Sequence, residues 1–126
     1  MSKNNKKILL VDDSSDILYI YTKGLENAGF FVLTAENGQE GLNIALKEKL
    51  DLILLDILMP KMDGIEMARK LKENNIKVPI IFLTNIADAD LINKALELGI
   101  SDYIIKSDLG IDIIIQRIKQ KLNLKK

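Results

Sequence analysis

Neither cysteine nor histidine occurs anywhere in the 126 residues. Disulfides, thiolate nucleophiles, imidazole acid–base catalysis and zinc sites built from sulfur and nitrogen are thereby excluded, and any metal must be held by oxygen. Tryptophan is also missing and aromatic residues make up only 5% of the chain, so the core has to be built from aliphatic side chains. No sign of charge prevails: 18 Lys and Arg balance 18 Asp and Glu. A neutral chain with pI near 6.3 has no global field to attract nucleic acid, and direct DNA binding is not expected of it. No apolar run approaches the roughly 18 residues of a membrane span, and the polar start MSKNNKK lacks the apolar centre of a signal peptide. The expectation is a cytoplasmic protein without a membrane segment.

Short β-branched runs alternate regularly with longer amphipathic ones. That is the pattern of an α/β domain: a parallel sheet wound on both faces by crossover helices. Five strands are predicted, at Lys7–Val11, Phe31–Thr34, Leu52–Asp56, Val78–Leu83 and Asp102–Ile105. Five helices follow them, at Ser14–Ala28, Gly38–Lys47, Gly64–Asn74, Asp88–Leu98 and Leu109–Leu122. Asn37 with Glu40 reads as a capping box, Gly29 and Gly99 as helix stops, and Asp63-Gly64 as a turn. The whole chain reads as a single domain, with residues 1–6 and 123–126 frayed.

The stretch ILLVDDSSD runs an aliphatic strand straight into two adjacent carboxylates. In an open α/β sheet the functional crevice lies beyond the carboxyl ends of the strands, so residues that end different strands converge there. Asp12 and Asp13 follow the first strand, Asp56 ends the third, Thr84 the fourth and Lys106 the fifth. Like charges that crowd together cost stability unless a cation sits among them. All-oxygen ligands point to a hard cation, with Mg²⁺ favoured. Each residue also has a plainer reading. Asp13 or Ser14 serves equally as the N-cap of the first helix, Thr84 as a satisfied strand-end hydroxyl, and Lys106 as a solvated charge. Asp56 is harder to dismiss, because its neighbours Ile-Leu-Met-Pro offer it neither charge nor cap.

VDD after the first strand, DILMPKMDG from Asp56 to Gly64, the Thr84 strand end and LGISDYIIK from Leu98 to Lys106 stand in order. Together they resemble the receiver domain of bacterial two-component response regulators, over nearly the whole chain. The resemblance implies a flavodoxin-like (β/α)5 domain that acts as a phosphorylation-activated switch, either a stand-alone CheY-like receiver or a fragment of a larger regulator. Asp56 would accept a phosphoryl group from the phosphohistidine of a sensor histidine kinase or phosphotransfer protein. Asp13 would ligate Mg²⁺ directly, Asp12 mainly through water, and the Leu58 backbone carbonyl would complete the set. Thr84 and Lys106 would bind phosphoryl oxygens, and Tyr103 would be the aromatic switch residue. The chain would then catalyse only its own phosphorylation and dephosphorylation, and would signal to a downstream protein through the face formed by the fourth helix, fifth strand and fifth helix.

Two positions depart from the family pattern. Ser107 follows Lys106 where most receivers have proline, and Asn85 follows Thr84 where Ala or Gly is usual. The positions flanking the path of hydrolytic water, Leu58 and Ile86, are both aliphatic. Ile113 falls outside the core stripe that Ile111, Ile114, Ile115, Ile118 and Leu122 define on the last helix, and Ile92 likewise on the fourth; the two are a candidate docking patch, with partial burial the plainer reading for each. The alternatives are a pseudo-receiver that serves only as a protein-interaction module, and an α/β enzyme that binds flavin or nucleotide. Retention of all five site residues argues against the first. Against the second, DDSSD would repel a phosphate where such enzymes need a Gly-rich cradle.

Overall fold

The computed structural model describes residues 5–59, 61–84, 89–100, 102–106 and 110–124. Strands β1 (Lys7–Val11), β2 (Phe31–Ala35), β3 (Leu52–Asp56), β4 (Ile80–Thr84) and β5 (Tyr103–Ile105) alternate with helices α1 (Ser15–Asn27), α2 (Gly38–Lys47), α3 (Gly64–Glu73), α4 (Ala89–Glu97) and α5 (Ile111–Lys121). The strands form one parallel sheet in the order β2-β1-β3-β4-β5. Strand residues alternate between two cores. Leu9, Val11, Ile53, Leu55 and Phe82 face α2, α3 and α4, whereas Ile8, Leu10, Leu52, Leu54, Ile81, Leu83 and Ile104 face α1 and α5. Burial on both faces explains why β1, β3 and β4 read as unbroken aliphatic runs. This is the doubly wound α/β fold expected from the sequence.

The chain leaves β1 towards β2 and leaves β3 in the opposite direction, towards β4. The carboxyl ends of β1 and β3 therefore flank the point where the winding reverses, and a crevice opens there.

Helix ends follow local chemistry. Ser14, Asn37 and Asp63 are N-caps whose side chains accept from the backbone N–H groups of Ile17, Glu40 and Glu66. Asp63-Gly64 is thus a helix start rather than a turn. Its glycine is demanded by packing, since a Cβ there would stand 2.3 Å from the Asp56 carbonyl oxygen. Gly29 and Gly99, at φ 98° and 82°, stop α1 and α4 as expected. Asn75 and Asn123, both at φ 58°, end α3 and α5 in the same way. In all four helices the residue after the left-handed position donates back to the last turn: Phe30 to Leu25, Ile76 to Leu71, Ile100 to Ala95 and Leu124 to Lys119. Asn123 and Leu124, expected in the frayed end, form this closing turn of α5.

The other boundaries move by one or two residues. β4 starts at Ile80 rather than Val78, because Pro79 has no N–H to give the ladder, although its carbonyl accepts from Ile53. β2 runs on through Ala35, and β4 includes Thr84. Residues 1–4, 125 and 126, the Asp88 start of the fourth helix and the Leu109 start of the fifth lie outside the described residues. Among the described residues no helix is long and apolar enough to cross a membrane.

Candidate functional site

Strand ends bring Asp12, Asp13, Asp56 and Lys106 around one cavity of about 330 Å³, whose wall also includes Ser14, Ile17 and Leu58. Asp12 is fully buried, and each of its carboxylate oxygens already has a partner. Oδ1 accepts from the Ser14 N–H at 2.9 Å, and Oδ2 accepts from Lys106 Nζ at 2.9 Å. Ser14, not Asp13, caps α1, which leaves Asp13 exposed at the mouth of the cavity. Of the two caps that the sequence left open, the structure selects the hydroxyl and spares the carboxylate.

Lys106 comes from 94 positions further along the chain, and its side chain is only 7% exposed. Its ammonium lies 3.5 Å from Asp56 Oδ2 as well as 2.9 Å from Asp12 Oδ2. The strand that ends in uncompensated negative charge is therefore compensated through the tertiary structure, by a lysine at the end of β5, three places along the sheet from β1. Burial alone would lower the Lys106 pKa, yet its bonds to Asp12 and Asp56 hold the ammonium above its ordinary value.

Asp56 is pushed from 3.8 up to about 6. Burial is the largest cause and the Asp12 charge adds to it; Lys106 opposes both, and Asp13 contributes a further upward push. The buried phenol of Tyr21, on α1, is raised by burial and feels both partners of the Lys106–Asp12 pair.

Asp12, Asp13 and Asp56 each offer a carboxylate oxygen, and these oxygens lie within 4.8 Å of one another. Three carboxylates and one ammonium leave a net double negative charge when all are ionised. An oxygen-only set with that excess charge fits a hard divalent cation such as Mg²⁺. Leu58 is half exposed on the wall of the same cavity.

Thr84 is buried at the end of β4, paired in register with Ile105. Tyr103 sits beyond it on β5 and is 39% exposed, with its carbonyl accepting a long bond from Arg117 on α5. A narrow cleft of about 10 Å³, lined by Leu91, Ile92 and Leu96 of α4 among others, separates Thr84 from Tyr103. Of the two readings open for Ile92 and Ile113, docking patch or partial burial, partial burial holds for Ile92. Ile92 is half-buried in this cleft, and the exposed apolar residue of α4 is Leu96, while Ile113 is exposed as expected. Asn85, Ile86 and the Lys106–Ser107 peptide lie outside the described residues.

Sequence reasoning missed Ser14 as the residue that locks Asp12, and the glycines that hold the crevice loops together. A Cβ at Gly38 would meet the Met62 carbonyl at 2.3 Å, so the loops after β2 and β3 interlock as closely as Gly64 lets the loop after β3 approach Asp56. Glycine at the first position of two successive helices was the available signal.

Comparison with known proteins agrees with this geometry. The response regulator receiver domain family matches residues 8–119. The alkaline phosphatase synthesis transcriptional regulatory protein PhoP of Bacillus subtilis is 44% identical over 104 residues, which cover 81% of this chain and 42% of that protein. A CheY-like response regulator receiver domain protein from Methanospirillum hungatei superposes with a TM-score of 0.89 at 32% identity, covering 95% of both chains. A two-component response regulator from Clostridium difficile gives 0.86 at 31% identity, over 94% of this chain and 97% of that one. The chain spans a little over two-fifths of the length of the curated relatives it matches.

Proposed function

The chain belongs to the response regulator receiver domain family, and from that premise we propose that it is a switch thrown by phosphorylation of Asp56. The observation that carries this reading is the position of Lys106, with one ammonium bonded to Asp12 and within 3.5 Å of Asp56, beside the exposed carboxylate of Asp13.

Asp56 is the nucleophile. Its carboxyl is pushed up to about 6, still below neutral pH, so the ionised form that attacks is available at pH 7. One carboxylate oxygen attacks the phosphorus of a phosphohistidine on a histidine kinase or phosphotransfer protein. The P–O bond forms as the P–N bond breaks, and the electron pair returns to the imidazole. Such transfer depends on in-line positioning and charge neutralisation more than on covalent help. Lys106 is placed to follow the charge from the Asp56 carboxylate to the phosphoryl oxygens. Mg²⁺, held by Asp12, Asp13, Asp56 and the Leu58 carbonyl, would supply the remaining neutralisation. Asp12, already committed to Lys106 and Ser14, suits contact through water; Asp13 suits direct ligation. The chain acts on no substrate beyond its own carboxylate.

The phosphorylated carboxylate carries new acceptor oxygens that the Thr84 hydroxyl can bond. Tyr103 then turns inward. A cleft of about 10 Å³ is too small for a phenol ring, so α4 must shift through Leu91, Ile92 and Leu96 to admit it. The change reaches a downstream protein at the face carrying Leu96, Tyr103 and Ile113. With no net charge, the chain is not itself the DNA-binding part of the signalling path.

The test is intact mass after incubation with phosphoramidate and Mg²⁺. One added phosphoryl group that maps to Asp56, and none in Asp56→Asn, is expected; an unmodified parent chain overturns the reading.

A further inference from the structure

A second cavity lies at the end of the sheet opposite Asp56. It encloses about 430 Å³ between the last turn of α3, the start of β4, the last turn of α4 and the end of α5. That volume lies in the range of small-molecule sites. Ala68, Leu71, Ile76, Val78, Ile80 and Ile100 give it apolar walls.

Its polar lining is of one sign. Lys72, Lys77 and Lys121 stand on it, and no carboxylate does. Lys121 is paired with Asp102, whereas Lys72 and Lys77 make no ion pair among the described residues. Two helix carboxyl ends border the cavity, and their negative dipole ends would ordinarily account for nearby lysines. Here they are already closed. Asn75 and Ile76 donate to Lys72 and Leu71, and Gly99 and Ile100 donate to Leu96 and Ala95. The carbonyls of these ends thus need no lysine as a hydrogen-bond donor, and the exposed ammonium groups of Lys72 and Lys77 remain available at the cavity rim.

We propose that this cavity binds a small amphipathic carboxylate, its aliphatic tail against Leu71, Ile76, Val78 and Ile100 and its carboxylate between Lys72 and Lys77. The tail supplies the binding energy by leaving water, and the lysines set the sign of the head group. The site lies at the end of the sheet opposite Asp56 and shares no lining residue with the carboxylate cavity.

The test is a titration of the ¹⁵N-labelled full chain with decanoate, followed by NMR. Saturable shifts are expected at Leu71–Ile80 and Leu98–Ile100, with a Kd on the order of 0.5 mM for a ligand of this size. Decylammonium should bind about tenfold more weakly, and the double variant Lys72→Glu, Lys77→Glu should lose about tenfold for decanoate. Both lysines are exposed, so the variant is expected to fold, and its unperturbed spectrum checks that it does. The Asp56→Asn variant should bind as the parent does. Absence of saturable shifts overturns the proposal. So does equal binding of decylammonium, or shifts confined to the exposed apolar residues Tyr19, Ile20 and Phe31. Preferential binding of a peptide with an apolar C-terminal residue, with no response to decanoate, would assign the cavity to a protein partner instead and overturn it equally.

Discussion

Lys106 bonds more closely to Asp12, at 2.9 Å, than to Asp56, at 3.5 Å. The buried cation is thus held by the carboxylate that does not react, and stays within reach of the one that does. Lys106→Met should leave two buried carboxylates uncompensated. A loss of about 3 kcal/mol in metal-free urea unfolding is expected, together with loss of phosphorylation. Stability equal to the parent would show that the pair is not buried in solution.

The raised Asp56 pKa sets a pH dependence. Folding favours the neutral acid, so this group's contribution is fully present below pH 3.8 and is lost as pH rises through about 6. In chelator, it should remove about 3 kcal/mol across that window. The drop should be absent in Asp56→Asn, and urea unfolding between pH 4 and 7 measures it. Parallel pH profiles for the parent and the variant would contradict the assigned shift.

Adding Mg²⁺ should reverse the cost of crowding Asp12, Asp13 and Asp56. At tenfold above its dissociation constant the gain is about 1.4 kcal/mol, or roughly 4 °C in Tm. Asp13→Asn should melt higher than the parent in chelator and no longer respond to the ion. An unchanged parent midpoint at tens of millimolar Mg²⁺ removes the metal site.

Gly64→Ala should cost more than about 2 kcal/mol, since its Cβ would press on the Asp56 carbonyl at 2.3 Å and no flexible side chain is there to yield. It should also slow phosphorylation by displacing Asp56. A variant as stable and as reactive as the parent would mean the loop has room that the structure denies it.

Leu58 lines the cavity and carries no polar group to orient an attacking water. Hydrolysis of the aspartyl phosphate is expected to be slow and to quicken in Leu58→Asn, as measured by phosphoprotein decay in Mg²⁺ once the donor is removed. Decay no faster than in the parent shows that water access at this position does not limit the lifetime.

The sequence by itself determined the alternation of strands and helices, the doubly wound sheet and the set of residues at its carboxyl edge. These follow from periodicity and from the rule that strand ends converge, both local or topological facts. Two stop signals escaped it, Asn75 and Asn123, because asparagine takes the left-handed position less often than glycine and reads as an ordinary helix or loop residue. The tertiary structure alone decided which groups pair. Asp13 or Ser14 as the cap of the first helix was an open choice along the chain, settled by Ser14 taking the cap and leaving Asp13 to solvent. That Asp12 pairs with Lys106 follows from where that lysine arrives, 94 positions away. Charge compensation and burial depend on distances between segments, and a linear pattern carries the identity of the partners without their separation.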